Sequence, residues 1–175
     1  MPNNQDLKDK LRIIPDFPKP GIDFFDITTL LSDSEGLRLC IDRAAELYKD
    51  NKPDIIAGLD ARGFILASGL AYKLGCGLVL IRKQGKLPCA TYSQHYQLEY
   101  GEATMEVHQD AFKTHKKVLL VDDLLATGGT AKAGAQLIEK AGAEVMAISC
   151  IIELLSLKGR EHLRGYSVDA LIQVD

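Results

Sequence analysis

The sequence predicts an α/β fold, with a central, mostly parallel twisted sheet flanked by helices. Three observations predict it. Short runs of Val, Ile and Leu alternate with segments of helical spacing through residues 54–152. The composition is that of a globular chain, 46% apolar and 26% charged. The 175 residues show no internal repeat, low-complexity linker or composition shift, and suffice for one core without disulfides or structural metal. Residues 1–175 therefore read as a single domain. Without Trp, and with only 6% aromatic residues, its core should be aliphatic.

Residues 6–14 have the spacing of a short helix that stops at Pro15. Pro15, Pro18 and Pro20 then impose an extended or turning path as far as Gly21. Ser32 and Glu35 stand at capping-box spacing, ahead of Leu37, Ile41, Ala44, Ala45 and Tyr48, which predicts a helix over about 35–50. Strands are predicted over 54–58, 77–82, 118–121 and 145–152, with helices over 64–74 and 130–141. This alternation implies βαβ units and helices on both sheet faces. Such sheets bind ligands beyond the carboxyl ends of their strands. Residues 83–100, polar and without a period, break the alternation and read as a lid or an excursion of two edge strands.

Charge and cysteine usage exclude several function classes. Lys and Arg number 21 against 24 Asp and Glu, a net charge of −3, which opposes non-specific nucleic-acid binding but permits a local phosphate site. No apolar run is long enough to span a bilayer and the first residues are polar, so a cytoplasmic protein without a membrane partner is expected. Cys40, Cys76 and Cys150 lie in apolar stretches and read as buried thiols, whereas Cys89 sits in a polar segment. His95, His108, His115 and His162 have no partnering pattern and read as surface residues.

The chemistry concentrates at residues 117–130. An apolar strand ends in Asp122 and Asp123, and Leu124, Leu125 and Ala126 lead to Thr127, Gly128, Gly129 and Thr130, where a helix opens. Ionised carboxylates there can accept hydrogen bonds from a ribose diol or hold Mg²⁺ through oxygen. The turn supplies backbone amides and two hydroxyls at a helix N-terminus, a nest for a phosphate dianion. The bland alternative is a βα turn with an acid cap. Neither the Walker A spacing nor the dinucleotide-binding glycine fingerprint occurs.

This segment resembles the phosphoribosyl-pyrophosphate (PRPP) motif of the type I phosphoribosyltransferases, in the form used by the adenine-specific members. Supporting blocks occur in family order at residues 15–21, 58–64, 82–88, 98–101 and 156–161. The resemblance implies a small N-terminal hood over about 1–35 and a lid over about 83–100. It implies transfer of 5-phosphoribosyl from PRPP to N9 of adenine, giving AMP and pyrophosphate in purine salvage, with Mg²⁺ as cofactor and a homodimer as assembly.

In that family the loop, here Ala126, Thr127, Gly128, Gly129 and Thr130, holds the 5-phosphate, and Asp122 and Asp123 engage the ribose, with Mg²⁺ bound mainly through PRPP. The resemblance assigns Asp60, Ala61 and Arg62 to the pyrophosphate, with a cis peptide between Asp60 and Ala61. Arg82, Lys83 and Lys86 become a basic clamp on PRPP; on motif grounds alone they are a solvated face. Arg62, Lys83 and Glu99 are the implied catalytic side chains. Asp23, Phe24, Phe25 and Leu124 are implied at the base, with Ile22 beside them and Glu99 and Tyr100 closing from the lid. Phe24 reads equally as core.

Asp23 and Phe25 depart from the family, which favours an apolar residue and Arg or Lys there. Ala126 stands where hypoxanthine-guanine enzymes carry Asp, which fits adenine. The rivals are a transferase for another base and a PRPP-sensing regulator. The latter would carry a nucleic-acid module or a basic face, and only about 15 residues precede the Pro-rich segment.

Overall fold

The structure, a computed structural model, describes residues 4–17, 19–97, 101–114 and 117–175. In chain order the elements are α1 (Gln5–Lys8), β1 (Arg12–Ile14), β2 (Phe24–Asp26), α2 (Thr28–Ser32), α3 (Ser34–Glu46), β3 (Ile55–Leu59), α4 (Gly63–Leu74) and β4 (Gly77–Lys83). They continue with β5 (Thr91–Gln97), β6 (Glu102–His108), β7 (Lys117–Leu125), α5 (Gly129–Lys140), β8 (Glu144–Leu154), a 3₁₀ turn at Leu155–Leu157, α6 (Gly159–His162) and β9 (Val168–Val174).

The main sheet has seven strands in the order β5-β6-β4-β3-β7-β8-β9. Strands β4, β3, β7, β8 and β9 run parallel, and the β5-β6 hairpin joins antiparallel beside the end of β4. The expected α/β sheet is therefore present. Its faces bury separate aliphatic clusters. One packs Ile56, Leu119 and Val121 under α3 and α4; the other packs Ala57, Leu59, Val118 and Leu120 under α5. The alternation of buried partners along β3 and β7 is the period of two of a strand covered on both sides.

The N-terminal segment differs from its predicted helix. Helix α1 stops at Lys8, and Arg12–Ile14 pairs antiparallel with Phe24–Asp26. Pro15 disfavours helical geometry at Ile14, and β-branched Ile13 and Ile14 suit a strand. Arg12 and Thr28 then hold the Asp26 carboxylate, whose pKa falls to about 2, chiefly through the Arg12 hydrogen bonds. The cap of α3 is also not Ser32: Asp33 accepts the Gly36 N–H at 3.0 Å and pairs with Lys10.

Residues 83–100 do contain a strand of an edge hairpin, whose second strand extends to His108. Lys140 donates to the Ser93 carbonyl at 3.1 Å, seating that hairpin on α5. Cys40 and Cys150 are buried and Cys89 exposed, as expected, while Cys76 is half-buried. Among the described residues no helix is long and apolar enough to cross a membrane.

Candidate active site

Three parallel strands deliver the candidate site. The carboxyl end of β3 passes through Asp60, Ala61 and Arg62 into α4, that of β4 ends at Lys83, and that of β7 runs through residues 126–128 into α5. Around these ends lies a cavity of about 590 Å³. Its lining brings together Asp60, Ala61, Arg62, Lys83, Asp122, Asp123, Leu124 and all five residues of 126–130. Ligand sites favour this position in open parallel sheets, because loops diverge there.

Asp122 and Asp123 do not follow their strand, as the sequence suggested, but lie within it. The β7-β8 ladder continues to Leu125 opposite Glu153, because Leu125 still buries itself in the α5 layer. The acids are therefore held by a regular backbone rather than by a turn. Arg62 Nε–H donates to Asp123 Oδ2 at 2.8 Å, and Asp123 is 5% exposed. Asp122 Oδ1 accepts the Asp123 N–H at 2.9 Å. Burial first, and then the Asp123 carboxylate, push the Asp122 pKa well above the ordinary aspartate value.

Asp60 organises the basic residues. Its side chain, 3% exposed, accepts from Arg82 Nε at 3.3 Å and from the Lys83 backbone N–H at 3.4 Å, with Lys86 Nζ at 3.9 Å. Arg82 and Lys86 are thus tied to the loop after β3, while Lys83 lines the cavity. The Asp60–Ala61 peptide is cis. At the opposite wall Gly128 has φ +86°, a conformation that favours glycine, and starts the twelve-residue α5. Its turn amides and the α5 N-terminus suit an anion. Adjacent carboxylates suit a diol, and Arg62 with Lys83 suits a second anionic group.

The proposed base residues are divided. Leu124 lines the main cavity, whereas Asp23 and Phe25 line a separate hollow of about 320 Å³ with Ile22, Leu154 and Leu157. Phe24 stacks edge-on against Phe17, ring centroids 5.3 Å apart. Glu99 and Tyr100 lie outside the described residues, as does His115. The cavity also takes in Tyr96 and Ala103 from the β5-β6 hairpin, which the sequence reading did not single out. No local pattern marks them, since only strand pairing carries them there. Among the described residues no cluster of three or more His, Cys, Asp or Glu could hold a metal.

The sequence model of the phosphoribosyl transferase domain matches residues 26–172. An adenine phosphoribosyltransferase of Clostridium perfringens is 53% identical over 169 residues, covering 97% of this chain and 98% of its own. The crystal structure of adenine phosphoribosyltransferase from Thermoanaerobacter pseudethanolicus superposes with a TM-score of 0.93 at 45% identity, over 98% of this chain and 100% of that one. The Saccharomyces cerevisiae adenine phosphoribosyltransferase, crystallised with adenine and an imino-altritol bisphosphate, gives a TM-score of 0.89 at 36% identity, over 95% and 97% of the two chains.

Proposed function

The chain belongs to the phosphoribosyl transferase domain family, and we propose that PRPP lies in the cavity with its 5-phosphate on residues 126–130. It is a pentosyltransferase of purine salvage, transferring 5-phosphoribosyl from PRPP to N9 of adenine to give AMP and pyrophosphate. The observation that carries the assignment of the site is the convergence of Asp122, Asp123, the 126–130 loop and Arg62 on one cavity at the strand ends.

In this reading the ribose hydroxyls donate to Asp122 and Asp123, so Arg62 exchanges its Asp123 partner for the pyrophosphate. Breaking the C1–O bond leaves cationic character on the ribose and negative charge on pyrophosphate. Arg62 and Lys83 stabilise the latter, and Asp60 holds Arg82 and Lys86 close by. N9 forms the new bond to C1, and Glu99 takes or relays the proton that adenine loses. Among the described residues, two carboxylates with no third metal-ligating side chain clustered beside them fit Mg²⁺ held mainly through PRPP and water, with Asp122 and Asp123 nearby. Bound there, Mg²⁺ supplies charge neutralisation to the leaving group. Leu124 offers an apolar contact for the base.

We also propose a homodimer. Leu78 and Leu80 pair in register with Ile56 and Gly58, so they share the sheet face that α4 covers, yet they remain 37% and 38% exposed. Ile65 and Tyr72 stand one turn-pair apart on the outer side of α4, and Tyr72 is 91% exposed. Such an apolar surface, next to the elements that carry Arg62 and Lys83, fits a second copy. The four cysteines are all free thiols, which suits a reducing cytoplasm.

A steady-state assay of adenine, hypoxanthine, guanine, xanthine and pyrimidine bases with PRPP and Mg²⁺ tests the reading. Nucleotide should form from adenine. No AMP from adenine despite intact PRPP binding would reject it. Glu99→Gln should lower turnover more than adenine affinity, and unchanged turnover would remove Glu99 from the mechanism.

A further inference from the structure

The short segment after β8 touches the 126–130 loop from behind at three points. His162 Nδ1 lies 2.5 Å from the Thr127 carbonyl oxygen. A carbonyl can only accept, so Nδ1 carries the proton and donates. A Cβ on Gly128 would lie 2.5 Å from the Gly159 carbonyl oxygen, and one on Gly159 would lie 2.3 Å from the Ala126 carbonyl oxygen. Neither position has room for a side chain, so the two backbones are in direct contact.

The segment itself is anchored. Arg160 donates from Nε and Nη2 to the two Glu153 carboxylate oxygens at 2.6 and 2.8 Å, and from Nη1 to the Val168 carbonyl at 2.7 Å. Glu153 belongs to β8 and is 3% exposed; it also accepts from Gln173 of β9 at 2.9 Å. The last two sheet strands therefore fix where His162 and Gly159 stand.

In a planar trans peptide the carbonyl and the following N–H point in opposite directions. A Thr127 carbonyl held by His162 therefore turns the Gly128 N–H away from His162. An Ala126 carbonyl held against Gly159 does the same for the Thr127 N–H. We propose that the turn 158–162 is a brace that presents the phosphate loop's amides to the 5-phosphate of PRPP, with His162 as its positioning residue. This proposal rests on the reading that residues 126–130 hold that phosphate. His162 touches no reacting atom. Because the 5-phosphate is equally bound before and during C1–O cleavage, the brace acts on PRPP affinity and leaves turnover alone.

The test compares kcat and both KM values, with Mg²⁺ present, for the wild type and for His162→Ala, His162→Asn and Thr130→Ala. His162→Ala should raise the PRPP KM about fivefold, the ordinary net effect of one hydrogen bond. The adenine KM and kcat should stay within about twofold. His162→Asn, whose amide N–H can reach the same carbonyl, should recover most of the PRPP affinity. An unchanged PRPP KM in His162→Ala, an equal rise in both KM values, or no recovery with Asn would overturn the brace. Thr130→Ala probes the loop assignment itself. If it raises the PRPP KM while His162→Ala does not, the brace alone fails. If Thr130→Ala leaves PRPP binding intact, the loop reading fails and the brace with it.

Discussion

Replacing Arg160 with Ala removes the anchor that ties the turn after β8 to the last two strands. Three hydrogen bonds are lost, two of them to a carboxylate that is 3% exposed. Breaking a fully buried ion pair from one side costs about 3–5 kcal/mol, because the remaining charge is left uncompensated. Here the Arg160 side chain is 42% exposed, so water can reach the space it vacates, and Gln173 still donates to Glu153. Both effects reduce the expected loss to about 2–3 kcal/mol. For a chain of this length that corresponds to a fall in Tm of about 4–12 °C. Calorimetric melting at pH 7 and near-physiological salt reads it. Glu153→Gln on the Arg160→Ala background should recover part of the loss, since no unpaired charge then remains. A loss below about 0.5 kcal/mol, or a double variant no more stable than Arg160→Ala, would refute the reasoning.

The same pair predicts an acid limb. The hydrogen bonds from Arg160, above all, hold the Glu153 carboxyl below the ordinary glutamate pKa of 4.5, so its stabilisation is complete above that pH and is lost as pH falls through the folded-state value. The Tm difference between wild type and Glu153→Gln should stay flat from pH 7 to about 5 and close below 4.5. Leu80→Glu should convert an assembly of twice the 19.2 kDa chain mass into monomers, read by light scattering coupled to size exclusion; a monomeric wild type would refute the dimer. Ala126→Asp places a carboxylate where hypoxanthine-guanine enzymes carry one and should lower kcat/KM for adenine at least about tenfold at saturating PRPP, with the PRPP KM within about twofold of wild type.

The parallel sheet was legible because its strands are covered on both faces and so read as unbroken apolar runs between helical segments. The β7 strand shows this well, with Leu119 and Val121 turned to one layer and Val118 and Leu120 to the other. The N-terminus was misread because Leu7 and Leu11 share helical spacing, while the decisive signal was Pro15 acting on Ile14. Strand β9 was missed although Val168, Ala170, Ile172 and Val174 alternate cleanly into the interior. Asp122, Asp123 and the loop after them, which line the cavity, could be singled out from local sequence, since carboxylates and turn residues stand together at a strand end. The Arg62–Asp123 pair and the Asp60 cluster were not, because they form between loops that meet only when β3, β4 and β7 lie side by side. His162 read as a surface residue for the same reason: it is exposed, and its partner Thr127 lies 35 positions away.

The central claim is that Asp122 and Asp123, with residues 126–130, form the PRPP site. Titration calorimetry of Mg²⁺-PRPP into wild type and into Asp122→Asn with Asp123→Asn, alongside melting of both, tests it most directly. Burial and Asp123 raise the Asp122 pKa, so its ionised form weakens the fold as pH rises through that raised value. Asp123→Asn gives up the Arg62 ion pair, which opposes that gain, so the variant should stay folded and melt within about 5 °C of wild type at pH 7 while losing at least about a hundredfold in PRPP affinity. PRPP binding retained in a folded variant, or collapse of the fold in place of a loss of binding, would contradict the account.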